Sequence, residues 1–354
     1  MPLRAKIDIP ATHTPREPGN GPQPTTQHSG SAQSRMEKFS AFDRKDLVYK
    51  TVASHPIELT ILTPKTLKFR DNVPVIVRLH GGFLFTGWRL FPDWCAAWLL
   101  DFAVRSNAIM VIPDYRLLPE ATGVDILEDL RDIVKFLAND LDAALAPLGI
   151  TADTKSTLVV GESAGGWASV NTGLLYANLD PKVQFSAIIS AYGVLDVRSR
   201  FFTEKYDKPI LGGPPMTPLS VLEDHKAAVK AGTKPAVSTT GEFERIGLAL
   251  AAVQNGIYAK CLGDESELYP LDNLERAKSM PPLWLFHGRQ DSAVPVANSE
   301  LFAEMAKSAC GGNTQVLLTL QDGEHGFDAE SSVDTEWVKE GLEWLGMFWP
   351  APRS

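Results

Sequence analysis

STLVVGESAGGWASVNTGLLYANL, residues 156–179, runs from a short apolar stretch through a glycine-flanked serine into a segment of helical composition. The order strand, Gly161-Glu162-Ser163-Ala164-Gly165, helix predicts a nucleophile on a sharp turn at the end of a central strand. Such a turn strains the serine backbone, and the flanking chain passes close to neighbours where a β-carbon would clash. Gly161 and Gly165 supply that room. The helix that follows points its amino end toward negative charge developing at the serine. A glycine-rich turn in some other α/β protein is the competing reading, and the rest of the chain has to decide between them.

Outward from this stretch the pattern is rhythmic. DLVYKTVAS and IELTILTP predict a hairpin with Ser54-His55-Pro56 at its turn. Short apolar runs follow: VPVIVRL (73–79), AIMVIPDY (108–115), STLVVG (156–161), FSAIISAYG (185–193), PLWLFHG (282–288) and TQVLLTL (314–320). Runs rich in Val, Ile and Leu without alternation suit strands buried on both faces. Between them lie amphipathic segments. Ile126, Leu130, Ile133, Val134 and Leu137 recur at helical spacing, and Val338, Leu342, Leu345 and Trp349 form one stripe near the end. A leading hairpin followed by strand–helix alternation predicts an α/β fold with a mostly parallel central sheet flanked by helices.

One stretch breaks the rhythm: roughly ninety residues separate Gly193 from Pro282, far more than a strand-to-helix connection needs. It includes aromatic and Pro/Gly-rich pieces and an Ala-rich helix candidate, FERIGLALAAVQNGIYAKCL (243–262), and reads as an inserted helical lid at 196–280, with a separate interaction domain as the bland alternative. The core is then expected at 46–195 and 281–354. Residues 1–35, rich in Pro, Gly, Thr, Gln and Ser, cannot offset their ordering entropy alone and are expected to be disordered or pinned against the rest.

Composition narrows the function classes. The net charge of −9, with no dense basic block, argues against a nucleic-acid partner. Cys95, Cys261 and Cys310 are widely spaced and odd in number without a CxxC, so neither a disulfide framework nor a metal site is expected. No apolar run follows the N-terminal charges, and nowhere are there about 18 uninterrupted apolar residues, so neither a secretory signal nor a membrane span is expected. The default expectation is a cytoplasmic protein.

A serine nucleophile needs a base, and the base needs a third group to hold it. Downstream of Ser163 stand His225, His287 and His325. His225 falls in the inserted segment among Lys and Glu and is expected to be solvated. His287 sits inside a strand end, where a structural role is expected. His325, in DGEHGFD just past the final strand, is the candidate base. Asp291, on the loop after the penultimate strand, is the candidate orienting acid, because Asp322 and Glu324 are too near His325 in sequence. Oxyanion donors are expected from Ala164 and from the Gly81-Gly82 loop, with His80 shaping that loop.

With these segments placed, the chain resembles the hormone-sensitive-lipase-like family of α/β-hydrolases over about residues 45 to 350. The resemblance is carried by HGGFLFTG (80–87), DYRLLPE (114–120), GESAGG (161–166), HGRQD (287–291) and EHGF (324–327). It implies an α/β-hydrolase fold, a Ser163–Asp291–His325 triad and no cofactor. It also implies a cap built from residues 1–45 and about 196–280. By resemblance the oxyanion amides are those of Gly82, residue 83 and Ala164. Phe83 stands where relatives often carry a small residue, and with Phe85, Trp88 and Glu162 it is expected to shape the pocket. Asp114 and Arg116 are expected to brace their loop. The implied activity is hydrolysis of a small-molecule carboxylic ester with a short or compact acyl group. A lactone, an amide or an acyl transfer is the alternative, and a small-molecule receptor without turnover the remote one. The oligomeric state is left open, with a homodimer among the options.

Overall fold

The computed structural model describes residues 37–233, 235–241 and 243–350. Of the residues 1–45 expected in a cap, 1–36 therefore lie outside the described residues, and from Phe42 on the chain already belongs to the sheet. Eight strands form one sheet: β1 (Phe42–Val52), β2 (His55–Pro64), β3 (Val73–Leu79), β4 (Ile109–Pro113), β5 (Ala152–Glu162), β6 (Phe185–Ala191), β7 (Leu283–Gly288) and β8 (Val316–Gln321), ordered β1-β2-β4-β3-β5-β6-β7-β8. β1 and β2 are antiparallel to each other, β2 is antiparallel to β4, and every pair beyond is parallel. All seven residues of β3 and all six of β7 are buried, as expected of strands covered on both faces.

The leading hairpin turns at a different place from the one expected. Val52 pairs with His55, so Ala53 and Ser54 alone make the turn, both at positive φ (46° and 69°). His55 and Pro56 already belong to β2. Positive φ at both central residues is the two-residue hairpin geometry, normally signalled by Asn or Gly. Ala-Ser carries no such signal. Pro56 is tolerated because β2 meets β4 only from Leu59 onward, so no ladder bond is asked of its nitrogen on that side.

Helices cover both faces: α1 (Ala97–Arg105), α2 (Gly123–Asn139), α3 (Leu141–Leu145), α4 (Ala164–Tyr176) and, after the five helices between Arg200 and Arg276, α10 (Ala297–Ser308) and α11 (Glu336–Leu345). In α2, Thr122 and Asp125 form a reciprocal capping box, and Ile126, Leu130, Ile133, Val134 and Leu137 are all buried. α11 is shorter than its apolar stripe. Trp349 lies beyond its end, fully buried, with its indole N–H donating to the Ser156 carbonyl at 2.9 Å. Leu342 is only half-buried.

The insertion between β6 and β7 carries α5 (Arg200–Thr203), α6 (Ser220–Lys230), α7 (Ile246–Gln254), α8 (Tyr258–Leu262) and α9 (Pro270–Arg276). The single helix expected over 243–262 is therefore two. Gly256, at φ 68°, ends the first, and a β-carbon there would meet the Glu204 backbone at 2.4 Å. Apolar residues of the insertion, among them Leu248, Ala252, Val253, Tyr258 and Leu262, pack in the same core as Phe83, Leu84 and Phe85. Hydrogen bonds cross as well: the Leu117 amide donates to the Val237 carbonyl (2.8 Å), and the Trp167 indole to that of Leu268 (2.7 Å). Among the described residues, no helix is long and apolar enough to cross a membrane.

Candidate active site

Ser163 stands between β5 and α4 at φ 57°, ψ −118°, a conformation that costs a non-glycine residue roughly 1–3 kcal/mol. The turn is over-determined by its neighbours. The Ser163 amide donates to the Ala191 carbonyl (2.9 Å), and its own carbonyl accepts from Gly166 (2.9 Å) and Val194 (3.2 Å). The glycines are there for space: a β-carbon on Gly161 would lie 1.8 Å from the Gly165 carbonyl oxygen, and one on Gly165 would lie 2.0 Å from that of Leu79.

The ends of β7 and β8 bring His325 and Asp291 together. His325 Nδ1 lies 2.7 Å from Asp291 Oδ2. The other Asp291 oxygen accepts from the Ala293 and Val294 amides, each at 2.8 Å. Burial by itself would raise the Asp291 pKa, but bonds from His287 and His325 and their charge hold it well below the usual carboxylate range. The loop bearing His325 is pinned by Glu324, whose carboxylate accepts from the Ser292 amide (2.6 Å) and the His325 amide (2.8 Å). His287 has a role that its position in a strand did not specify. Its Nε2 faces both Asp291 Oδ2 (3.1 Å) and the Val294 carbonyl (2.9 Å), which makes Nε2 the protonated nitrogen, and its Nδ1 accepts from the Ser299 hydroxyl (2.7 Å). Asp291 is thus held by two imidazoles and two amides. Asp322 stays apart, 3.4 Å from Gln290 and 4.0 Å from Arg289.

Across the cleft, Gly82 (φ 102°) and Phe83 (φ 54°) turn the chain sharply after β3, and a β-carbon on Gly82 would sit 1.9 Å from the Thr86 carbonyl oxygen. Among the described residues the amides of Gly82, Phe83 and Ala164 donate to no other group. The Gly81 amide is directed at the Glu162 carboxylate instead, where it favours the charged form. The Phe83 side chain packs edge-on against Tyr258, whose hydroxyl donates to the Phe83 carbonyl at 3.1 Å. His80 is fully buried, stacked on Tyr115 at 4.3 Å. Its burial pushes the imidazole pKa down to about 3, so it stays neutral and shapes the loop.

Beneath Ser163 lies a buried acidic floor. Glu162 is paired with Arg78, yet burial pushes its carboxyl up to about 7, with Arg78 opposing. Asp328, also raised by burial, accepts from the Trp98 indole and the Tyr192 hydroxyl, both at 3.0 Å. The Tyr192 ring meets that of His325 edge-on at 4.6 Å.

One cleft of about 200 Å³ is lined by Gly81, Gly82, Phe83, Glu162, Ser163 and His325 together. Two expected pocket residues lie elsewhere. Phe85 is fully buried against Tyr258, because the loop after Gly82 folds back through the Phe85 and Thr86 amides onto the Gly82 carbonyl. Trp88 lines a separate pocket of about 930 Å³ with Glu120, His225 and Arg245. His225 is likewise not solvated but half-buried, 2.7 Å from Glu120. Trp94, Tyr192, Leu211, Phe243, Ile246 and Asp328 line the cleft without having been singled out from the sequence. Tyr192 and Asp328 carried a weak signal, standing at the end of a central strand and three residues past His325. Asp114 binds Arg89, and Arg116 binds Asp125 and Asp129, so both brace their loop. Among the described residues no cluster of three or more His, Cys, Asp or Glu side chains is arranged to hold a metal ion.

A family model described as alpha/beta hydrolase fold matches residues 76–238, and one described as prolyl oligopeptidase family matches residues 254–348. A probable carboxylesterase of Phoma sp. is 32% identical over 325 residues, covering 88% of this chain and 98% of the relative. The chain belongs to the hormone-sensitive-lipase-like family of α/β-hydrolases. It is a carboxylic ester hydrolase. A probable carboxylesterase of Cochliobolus lunatus is 33% identical to this hydrolase over 200 residues, 53% of the chain and 87% of the relative. The fold recurs in Thermogutta terrifontis esterase 2 with butyrate bound (TM-score 0.54, 21% identity, 89% of this chain and 98% of that one). It recurs too in carboxyl esterase 2 of Tuber melanosporum (TM-score 0.57, 17% identity, 86% and 85%).

Proposed function

We propose that this hydrolase cleaves a carboxylic ester with a compact acyl group through an acyl-enzyme on Ser163, with His325 as general base and Asp291 as the acid that orients it. The observation that carries the reading is the 2.7 Å contact of Asp291 with His325 Nδ1 in a cleft shared with Ser163. A carboxylate kept ionised at that nitrogen leaves Nε2 unprotonated toward the cleft. Ser163 Oγ attacks the ester carbonyl carbon as His325 Nε2 takes the hydroxyl proton. The oxyanion forms against the amides of Gly82, Phe83 and Ala164. As the tetrahedral intermediate collapses, the ester C–O bond breaks and the imidazolium returns the proton to the leaving alcohol. Water, deprotonated by the same nitrogen, then releases the acid and regenerates Ser163.

The cleft of about 200 Å³ supports a compact acyl group over a long chain. The inserted residues 196–280 serve in this reading as a cap, since Leu211, Phe243 and Ile246 come from them and line the cleft. A second reading, the same triad on an amide, is favoured by the match of residues 254–348 to a prolyl oligopeptidase model. The test is fluorophosphonate labelling of wild type beside Ser163→Ala, then p-nitrophenyl esters from acetate to decanoate and the matching anilides. Labelling lost in the variant, with the shortest esters turned over fastest, is the expected result. Full esterase activity in Ser163→Ala overturns the nucleophile, and anilides turned over faster than esters overturn the ester preference.

A further inference from the structure

Few large apolar side chains of the described residues are exposed, and two of them, Leu211 and Phe243, line the cleft around Ser163 at 51% and 48% exposure. Both are held at positive φ, 51° and 55°, in the left-handed region that disfavours side chains of this size. Strain retained at a cleft mouth is a pointer to function. The Leu211 conformation is fastened by its amide, which donates to the Ser292 hydroxyl at 2.8 Å. Phe243 is fastened by rings: it stands edge-to-face on Phe91 (5.7 Å, 82°) and on Trp94 (5.8 Å, 76°). Trp94 in turn abuts the oxyanion loop, close enough that a β-carbon on Gly82 would meet it at 3.1 Å. Tyr192 supplies another ring to the same cleft, beside His325.

We infer that the ester taken by this site carries an aromatic ring, held against Trp94 and Phe243 and covered by Leu211. An apolar group of any shape gains from leaving water here. A flat ring gains in addition from edge-to-face and offset contacts with the surrounding rings, which a saturated ring of the same size does not. With about one such contact, the aromatic member of a matched pair should be favoured by roughly three- to ten-fold in kcat/KM. The inference rests on the ester-hydrolase reading of Ser163 and His325.

The test uses full-length protein and two matched pairs whose ring lies two carbons from the reacting group. Methyl 3-phenylpropanoate is set against methyl 3-cyclohexylpropanoate, and 2-phenylethyl acetate against 2-cyclohexylethyl acetate. The first pair puts the ring on the acyl side, the second on the alcohol side. The expected result is a three- to ten-fold preference for the aromatic member in at least one pair, falling toward unity in Phe243→Leu and Trp94→Leu. Thermal unfolding checks that each variant is folded, and the preference is a ratio, so a general loss of rate does not mimic the effect. A wild-type ratio near one in both pairs overturns the inference, as does a ratio unchanged in folded Phe243→Leu. If Ser163 fails to react with a fluorophosphonate and no ester of either kind is cleaved, the ester-hydrolase reading itself falls.

Discussion

Replacing Asp291 by asparagine keeps the shape of the side chain and changes the proton inventory around His325. In the native site one carboxylate oxygen accepts from the Ala293 and Val294 amides, and the other accepts from His325 Nδ1 and His287 Nε2. An asparagine must keep its carbonyl oxygen on the two backbone amides, since an NH2 there would face two donors. Its NH2 then faces both imidazoles. His325 can meet it only by moving its proton to Nε2, the nitrogen that in the proposed mechanism accepts the Ser163 proton. The wrong tautomer costs about 10⁴ in kcat in triads of this kind, or about 5 kcal/mol of transition-state stabilisation. Folding suffers less. His287 keeps its bond to the Val294 carbonyl, so the loss is one to two charge-assisted bonds, roughly 2–4 kcal/mol.

That loss depends on pH with a definite sign. The folded pKa of Asp291 is depressed, so its contribution is present above the ordinary aspartate value of about 3.9 and is lost as pH falls below it. Melting temperatures of wild type and Asp291→Asn should therefore differ most near pH 7 and converge toward pH 3. The assay is steady-state kcat and KM on the best p-nitrophenyl ester at pH 8, with calorimetric melting at pH 7, 5 and 3. Activity within ten-fold of wild type, or a melting difference independent of pH, refutes the reasoning.

Gly82→Ala should cut kcat by about 10²–10³ by dislodging an oxyanion donor, since the new β-carbon would lie 1.9 Å from the Thr86 carbonyl oxygen; a rate within three-fold of wild type on a short ester contradicts the assignment. The Glu162 carboxyl is raised to about 7 in the fold, so its effect on stability is most favourable below its unfolded value of about 4.5 and is lost as pH rises toward 7. Glu162→Gln should accordingly flatten the fall of melting temperature between pH 5 and 8, and identical slopes would count against the shift. Tyr192→Phe removes one of two side-chain donors to the buried Asp328 and should destabilise the fold by about 1–3 kcal/mol, with kcat/KM falling less than ten-fold because the ring against His325 remains. Unfolding in urea and ester kinetics on the same preparation check both halves.

The elements legible in the sequence are those whose cause is local. VPVIVRL is a strand because its residues suit burial on both faces, and it appears as β3 over the same residues. Gly161 and Gly165 mark a strand-to-helix turn because a β-carbon at either would collide with backbone a few ångströms away. Chain order and loop position likewise pointed to Asp291 and His325, and β7 and β8, which pair side by side, carry them into contact. The lining of the cleft was not legible. Phe85 and Trp88 are near Gly82 in sequence but turn away from Ser163, whereas Phe243 comes from the distant insertion and is set by its rings on Phe91 and Trp94. The segment that brings it is tied down by the Thr240 hydroxyl, which accepts from the Gly87 amide 153 residues earlier. Turn strain and strand burial are short-range properties that a few neighbouring residue types express. Which ring fills a cleft is decided by packing between segments that only the folded chain brings together, and no local pattern encodes that partner.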